Sequence, residues 1–157
     1  MIASPIACVI DASVLIKLVV SETDSDKVRA FFDHLTLDPA ARFHVPEFCF
    51  LECTNILWKQ VRRKTLLIAD AALKLQTIRG LALQIEPLGN LLDTALHIAA
   101  KLDISAYDAA YLAAASKLGL PLITADDKLF RKVSAAYPTV LVLSSLVIPP
   151  LPPGIIP

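Results

Sequence analysis

Asp11, Glu52, Asp108 and Asp126 are the residues of this chain whose types and settings best suit shared chemistry. Asp11 follows the apolar run 7–10, Asp126 follows the run 120–125, Asp108 closes Ser105-Ala106-Tyr107-Asp108, and Glu52 stands between Leu51 and Cys53 in an otherwise apolar stretch. Carboxylates ~4 Å apart repel by several kcal/mol even at an effective dielectric near 20. Such a group in one crevice calls for a cation, and acids without histidine or cysteine are the donor set of a hard ion, Mg²⁺ or Mn²⁺. Ser13 and Thr124 add hydroxyls beside two of the acids. Each acid also has an ordinary reading. Asp108 fits a capping box, Asp126 or Asp127 caps the helix it opens, and Asp11 fits turn chemistry beside Ser13. Glu52 is the hardest to treat that way, because a carboxylate in an apolar helical stretch needs a partner.

Other chemistries find less support. Cys49 and Cys53 lie four apart with His44 nearby, but a zinc site lacks its fourth ligand. His34 and His97 have no serine or cysteine partner in a recognisable motif, so a nucleophilic triad is unsupported. The glycines Gly80, Gly89, Gly119 and Gly154 form neither a phosphate loop nor a dinucleotide fingerprint. An α/β phosphatase or phosphoacceptor using Asp11 as nucleophile remains an alternative, although the second aspartate of a haloacid-dehalogenase-like site is replaced by Ser13. A catalytically silent binding module on the same fold is another.

The elements that must position these acids alternate. Strand 7–10 feeds a helix over 14–20 that Ser13 can cap; a helix follows over 26–37, then a short strand at 43–45. Pro46 suits the first turn of a helix running to Arg62-Arg63-Lys64. Helix 67–79 is closed by Gly80, strand 81–85 precedes Pro87, and Asn90 opens a helix to Leu102. Ser105 starts an alanine-rich helix ending at Gly119; strand 120–125, a helix to Ala136 and strand 139–143 complete the series. Strands that are apolar throughout and alternate with helices predict a five-stranded parallel sheet in a three-layer α/β/α sandwich, with function at the carboxyl ends of the strands.

Taken together, Val9-Ile10-Asp11-Ala12-Ser13, Pro46 followed by Glu52-Cys53-Thr54-Asn55, Tyr107-Asp108-Ala109-Ala110-Tyr111, and Leu122-Ile123-Thr124-Ala125-Asp126 resemble the PIN-domain ribonuclease family over nearly the whole chain to Leu143. In size and motif wording the chain is similar to the small toxins of VapBC toxin–antitoxin pairs. The resemblance implies a Rossmann-like sheet of order 3-2-1-4-5, which sets the ends of strands one and four side by side. It implies that Asp11, Glu52, Asp108 and Asp126 are the catalytic, metal-holding quartet, supported by Ser13, Asn55 and Thr124. It also implies a metal-dependent endoribonuclease in which the carboxylates hold one or two Mg²⁺ or Mn²⁺ for in-line attack of water on an RNA phosphodiester. A cognate antitoxin would be its protein partner. Lys17, Arg62, Arg63 and Lys128 are candidates for RNA-phosphate contacts, with Lys59, Lys64, Arg131 and Lys132 beside them; a solvated face and helix-dipole compensation are the plainer account of both clusters.

The 157 residues suit one domain, 1–145, followed by a proline-rich tail, 146–157. A composition 55% hydrophobic and 19% charged excludes disorder and leaves apolar surface over. Helices over 66–75 and 93–102 carry that surplus and predict a homodimer. Fifteen basic and fifteen acidic residues give no global field, so RNA must meet a local patch. The uncharged stretch from Ser134 onward is broken by Pro149, Pro150, Pro152 and Pro153, so no membrane segment is expected. No signal peptide is read at the N-terminus, where Asp11 interrupts an apolar run with no basic residue before it. The odd count of three cysteines favours a reducing cytoplasm over a disulfide framework.

Overall fold

Apolar runs without polar alternation form strands that need cover on both faces, and the chain assembles them in that way. The computed structural model describes residues 5–153. The strands β1 (Ala7–Ile10), β2 (Arg42–Pro46), β3 (Gln84–Glu86), β4 (Leu122–Thr124) and β5 (Val140–Val142) make one parallel sheet in the order β3-β2-β1-β4-β5. The order matches the expected 3-2-1-4-5. Every residue of β4 is buried, as are Cys8, Val9 and Ile10 of β1, so helices cover the sheet above and below. Val9 pairs with His44 on one side and Leu122 on the other, and Ile10 pairs with Ile123. The residues following β1 and β4 therefore emerge next to each other, where the order of strands reverses.

Between the strands lie α1 (Ala12–Leu15), α2 (Ser25–Leu37), α3 (Cys49–Arg62), α4 (Ile68–Arg79), α5 (Leu92–Leu102), α6 (Ala106–Leu118) and α7 (Asp127–Val133). Aromatic packing holds α2 to the sheet: Phe31 stacks on Phe43 of β2 at 4.6 Å between ring centroids, and Phe32 meets Phe43 edge-on at 5.3 Å. The alanine-rich α6 packs closely on β1, β2 and β4, and α5 packs on α6. Small side chains allow that approach: Ala109, Ala110, Ala113 and Ala114 are all buried. Gly119, at φ 65, ends α6 in the left-handed conformation that favours glycine.

Three local expectations change. The helix expected over 14–20 is one α-turn followed by a 3-10 turn, Ile16–Leu18. Past it, the Val20 carbonyl accepts from Ser25 Oγ at 3.1 Å and the Val19 carbonyl accepts from Lys74. Ser13 is not its cap. Asp11 occupies that position and accepts from the Ser13 N–H at 2.8 Å. Pro46 ends β2 instead of opening α3, because the ladder to β3 continues past it: Pro46 pairs with Glu86, and the Glu47 N–H donates to the Glu86 carbonyl at 3.0 Å.

The first part of the proline-rich tail lies against α2. Leu146 is buried, Lys27 donates to the carbonyls of Leu143 (3.2 Å) and Ser144 (2.6 Å), and the buried His34 bonds through Nε2 to the Pro149 carbonyl at 3.0 Å. Residues 154–157 of the tail lie outside the described residues. Among the described residues, no helix is long and apolar enough to cross a membrane.

Candidate active site

The end of β1 carries Asp11, only 7% exposed, with both carboxylate oxygens engaged. Oδ1 accepts from the Ser13 N–H at 2.8 Å, and Oδ2 accepts from the hydroxyl of Thr124, the last residue of β4, at 2.7 Å. Thr124 Oγ1 also accepts from the Asp126 N–H at 3.0 Å. Ser13 Oγ accepts from the Ala125 N–H at 2.9 Å and lies 3.4 Å from Thr124 Oγ1. These bonds join the ends of β1 and β4 and hold the Asp11 side chain in one orientation. Ser13 and Thr124 thus hold Asp11 and the β4 end together through hydrogen bonds. With both oxygens bonded and little exposure, Asp11 is poorly set to attack a ligand.

Glu52 lies in the first turn of α3 and is half-buried. Its partner is Tyr111 of α6, whose phenol donates to Glu52 Oε2 at 2.6 Å and accepts from the Ala12 N–H at 3.3 Å. Tyr111 is 1% exposed and packs edge-on against Phe48 at 5.3 Å. Tyr111 stands in the motif Tyr107-Asp108-Ala109-Ala110-Tyr111 but is not among the site residues expected from sequence. Its signal was a tyrosine within a run of buried alanines: a hydroxyl placed there needs a partner.

Asp108 and Asp126 take the capping positions that their settings allowed. Ser105 caps α6 by accepting from the Asp108 N–H at 3.0 Å and donates to Asp108 Oδ2 at 2.7 Å. Asp126 caps α7, its Oδ1 accepting from the N–H groups of Lys128 (2.8 Å) and Leu129 (2.9 Å). Each engagement uses one oxygen of the carboxylate. At the same time Asp11, Glu52, Asp108 and Asp126 border one open cavity of about 240 Å³, together with Ser13, Asn55 and Lys59. Four elements far apart in the chain thus bring their acids to a common space.

The electrostatics follow from that convergence. Burial pushes the Asp11 carboxyl above the usual range, against the lowering pull of the Ser13 N–H and the Thr124 hydroxyl, and the charge of Asp108 adds to the rise. Burial also raises Glu52, offset in part by the Tyr111 bond, with Asp11 and Asp108 adding repulsion. Burial raises the Tyr111 phenol as well, which keeps it a donor. Four acids on one wall, hydroxyl and amide groups beside them, and no histidine or cysteine among the lining residues form a donor set suited to a hard cation. Among the described residues no three such side chains close on a point as they stand, because Asp108 and Asp126 lean toward their caps.

The basic candidates separate. Lys59 lines the acidic cavity, and Lys128 lines a neighbouring one that also includes Asp108 and Asp126. Arg62 and Arg63 are exposed at the end of α3, roughly 15 Å along the helix axis from Glu52. Lys17 is turned away: its ammonium bonds to Glu22 Oε2 and to the Thr23 carbonyl, each at 3.1 Å, because the chain leaves α1 early and brings the 22–23 segment to it. Cys49 and Cys53 are fully buried, and His44 bonds to Glu86 at 3.1 Å, so the zinc spacing is a packing coincidence.

The pattern described as "PIN domain" matches residues 8–136. Ribonuclease VapC3 of Pyrobaculum aerophilum is 32% identical over 129 residues, covering 81% of this chain and 95% of the relative. Among solved structures, PAE2754 of Pyrobaculum aerophilum superposes with TM-score 0.69 at 22% identity, over 91% of this chain and 88% of that one. A toxin–antitoxin complex from Klebsiella pneumoniae gives 0.55 at 16% identity, over 87% of this chain and 97% of that one.

Proposed function

The chain belongs to the PIN-domain family and is of the VapC type, and on that premise we propose that it is an endoribonuclease dependent on Mg²⁺ or Mn²⁺, acting as the toxin of a toxin–antitoxin pair. The observation that carries this reading is the meeting of Asp11, Glu52, Asp108 and Asp126 at one cavity beside the junction of β1 and β4. When bound, the cation supplies Lewis-acid charge at the phosphodiester and lowers the pKa of water. Asp11 and Glu52 are its inner anchors in this reading. Asp108 and Asp126, each with one oxygen already held by a cap, complete its shell. Thr124 and Ser13 keep Asp11 from turning, and Asn55 offers an amide on the wall. Lys59 and Lys128 face the neighbouring phosphates, with Arg62 and Arg63 farther along the strand. The phosphatase alternative gains nothing from an Asp11 held at both oxygens.

Incubation with defined RNAs in the presence of Mg²⁺, followed by mapping of the cut ends, tests the reading. Cuts inside the strand are expected, bearing linear phosphate ends, because in this reading a water activated by the cation, not the 2′-hydroxyl, is the nucleophile. Cyclic 2′,3′-phosphates, or intact RNA across a broad panel, would overturn it.

A cognate antitoxin and a cytoplasmic setting belong to the same proposal. The free thiols Cys8, Cys49 and Cys53 suit a reducing compartment. So does a homodimer: α4 and α5, the helices that carry the apolar surplus, expose Leu67, Ile68, Leu73, Leu92 and Leu96 by more than half at or beside them. Sedimentation at micromolar concentration should give a dimer; a single monomeric boundary would remove this part of the proposal.

A further inference from the structure

We propose that Tyr111 is a positioning residue for the reaction, its hydroxyl setting the direction of the Glu52 carboxylate relative to Asp11; this rests on the ribonuclease reading above. One oxygen atom bridges two parts of the site. It donates to Glu52 Oε2 at 2.6 Å and accepts at 3.3 Å from the N–H of Ala12, the residue directly after Asp11. Ala12 is the first residue of α1, so its N–H has no partner within the helix, and the tyrosine supplies one. The bridge spans α3, α6 and the start of α1, and it fixes the separation of two acids that would share a cation.

The two acids differ in how they are held. Asp11 has a short side chain with donors on both oxygens, one from its own turn and one from β4. Glu52 has a longer, half-buried side chain whose hydrogen bond is the one from Tyr111. Loss of that bond leaves Glu52 free to swing along the mouth of the cavity. Packing alone does not account for a tyrosine here, because a phenylalanine ring would meet Phe48 equally well and would bury no hydroxyl.

Tyr111→Phe removes the hydroxyl and keeps the ring, and it is compared with Glu52→Gln and with the double variant. Tyr111→Phe should lower kcat for RNA cleavage ~10–100-fold, the usual cost of losing an outer partner of a metal-holding carboxylate, with KM for RNA nearly unchanged. Mn²⁺ affinity, read from the free-ion paramagnetic resonance signal, should weaken by a similar factor. In the Glu52→Gln background the same substitution should change Mn²⁺ affinity little, since the group it positions is gone. Glu52→Gln cleaving like the wild type would defeat the ribonuclease site itself. Glu52→Gln inactive with Tyr111→Phe matching the wild type in kcat and Mn²⁺ affinity would leave the site standing and overturn the role of Tyr111. A lowered melting temperature for Tyr111→Phe with both of those readouts intact would overturn it too, in favour of packing.

Discussion

Asp11→Asn should reduce RNA cleavage by ~10³-fold or more while leaving the chain folded, since a cation's contribution of several kcal/mol to the transition state is lost with its most buried anchor. The fold should tolerate the change for a local reason. The asparagine oxygen still accepts from the Ser13 N–H, and its amide can donate to Thr124 Oγ1, which lies 2.7 Å from the present carboxylate oxygen. The Thr124 proton is then free to turn toward Ser13 Oγ, 3.4 Å away. No buried polar group is orphaned.

The same variant carries a pH signature in metal-free protein. Burial raises the Asp11 pKa in the folded chain, so between the unfolded value of about 3.9 and the raised one the folded state binds more protons than the unfolded state. Stability therefore falls as pH rises through that window, and the loss is complete above the raised value. Asparagine does not titrate. The melting temperature of Asp11→Asn minus that of the wild type should accordingly grow from acidic to neutral pH, as followed by circular dichroism. Wild-type cleavage by the variant would refute the catalytic assignment, and a difference independent of pH would refute the electrostatic account of Asp11.

Removal of divalent cations should abolish cleavage altogether, and Mg²⁺ or Mn²⁺ should restore it. The acids on the wall of the cavity are placed to hold a cation, and it is the cation that would lower the pKa of a bound water in this reading. Binding should also be visible without substrate. A ligand that binds only the folded state at ~100 times its dissociation constant stabilises by about 2.7 kcal/mol, which for a chain of this size is a rise of about 5–10 °C in melting temperature. The rise should exceed that expected of salt alone, because the cation relieves repulsion among the acids, and it should vanish in Asp11→Asn. Cleavage persisting in excess chelator would overturn the metal requirement. An equal thermal response of wild type and variant would place the ion elsewhere.

Much of the molecule is legible from residue types and short spacings. Ser105 and Asp108 three apart, Gly119 after an alanine-rich run, and apolar runs at β1, β4 and β5 specify their elements through capping, left-handed backbone and burial, all of which act over a few residues. Local rules fail where a distant segment supplies the partner: β3 draws Pro46 into the sheet, at a position that suits the first turn of a helix.

The alternation of strands and helices, the acids that follow β1 and β4 and the donor chemistry they offer can be read from residue order alone, because they depend on side-chain type and neighbours in the chain. Which groups hold those acids is settled by long-range packing. Thr124 meets Asp11 across 113 residues, and Tyr111 meets Glu52 across 59. A hydrogen bond is satisfied by whichever partner lies within about 3 Å, and at such separations along the chain that partner is chosen by the order of strands and the close approach of α6, which no local pattern encodes.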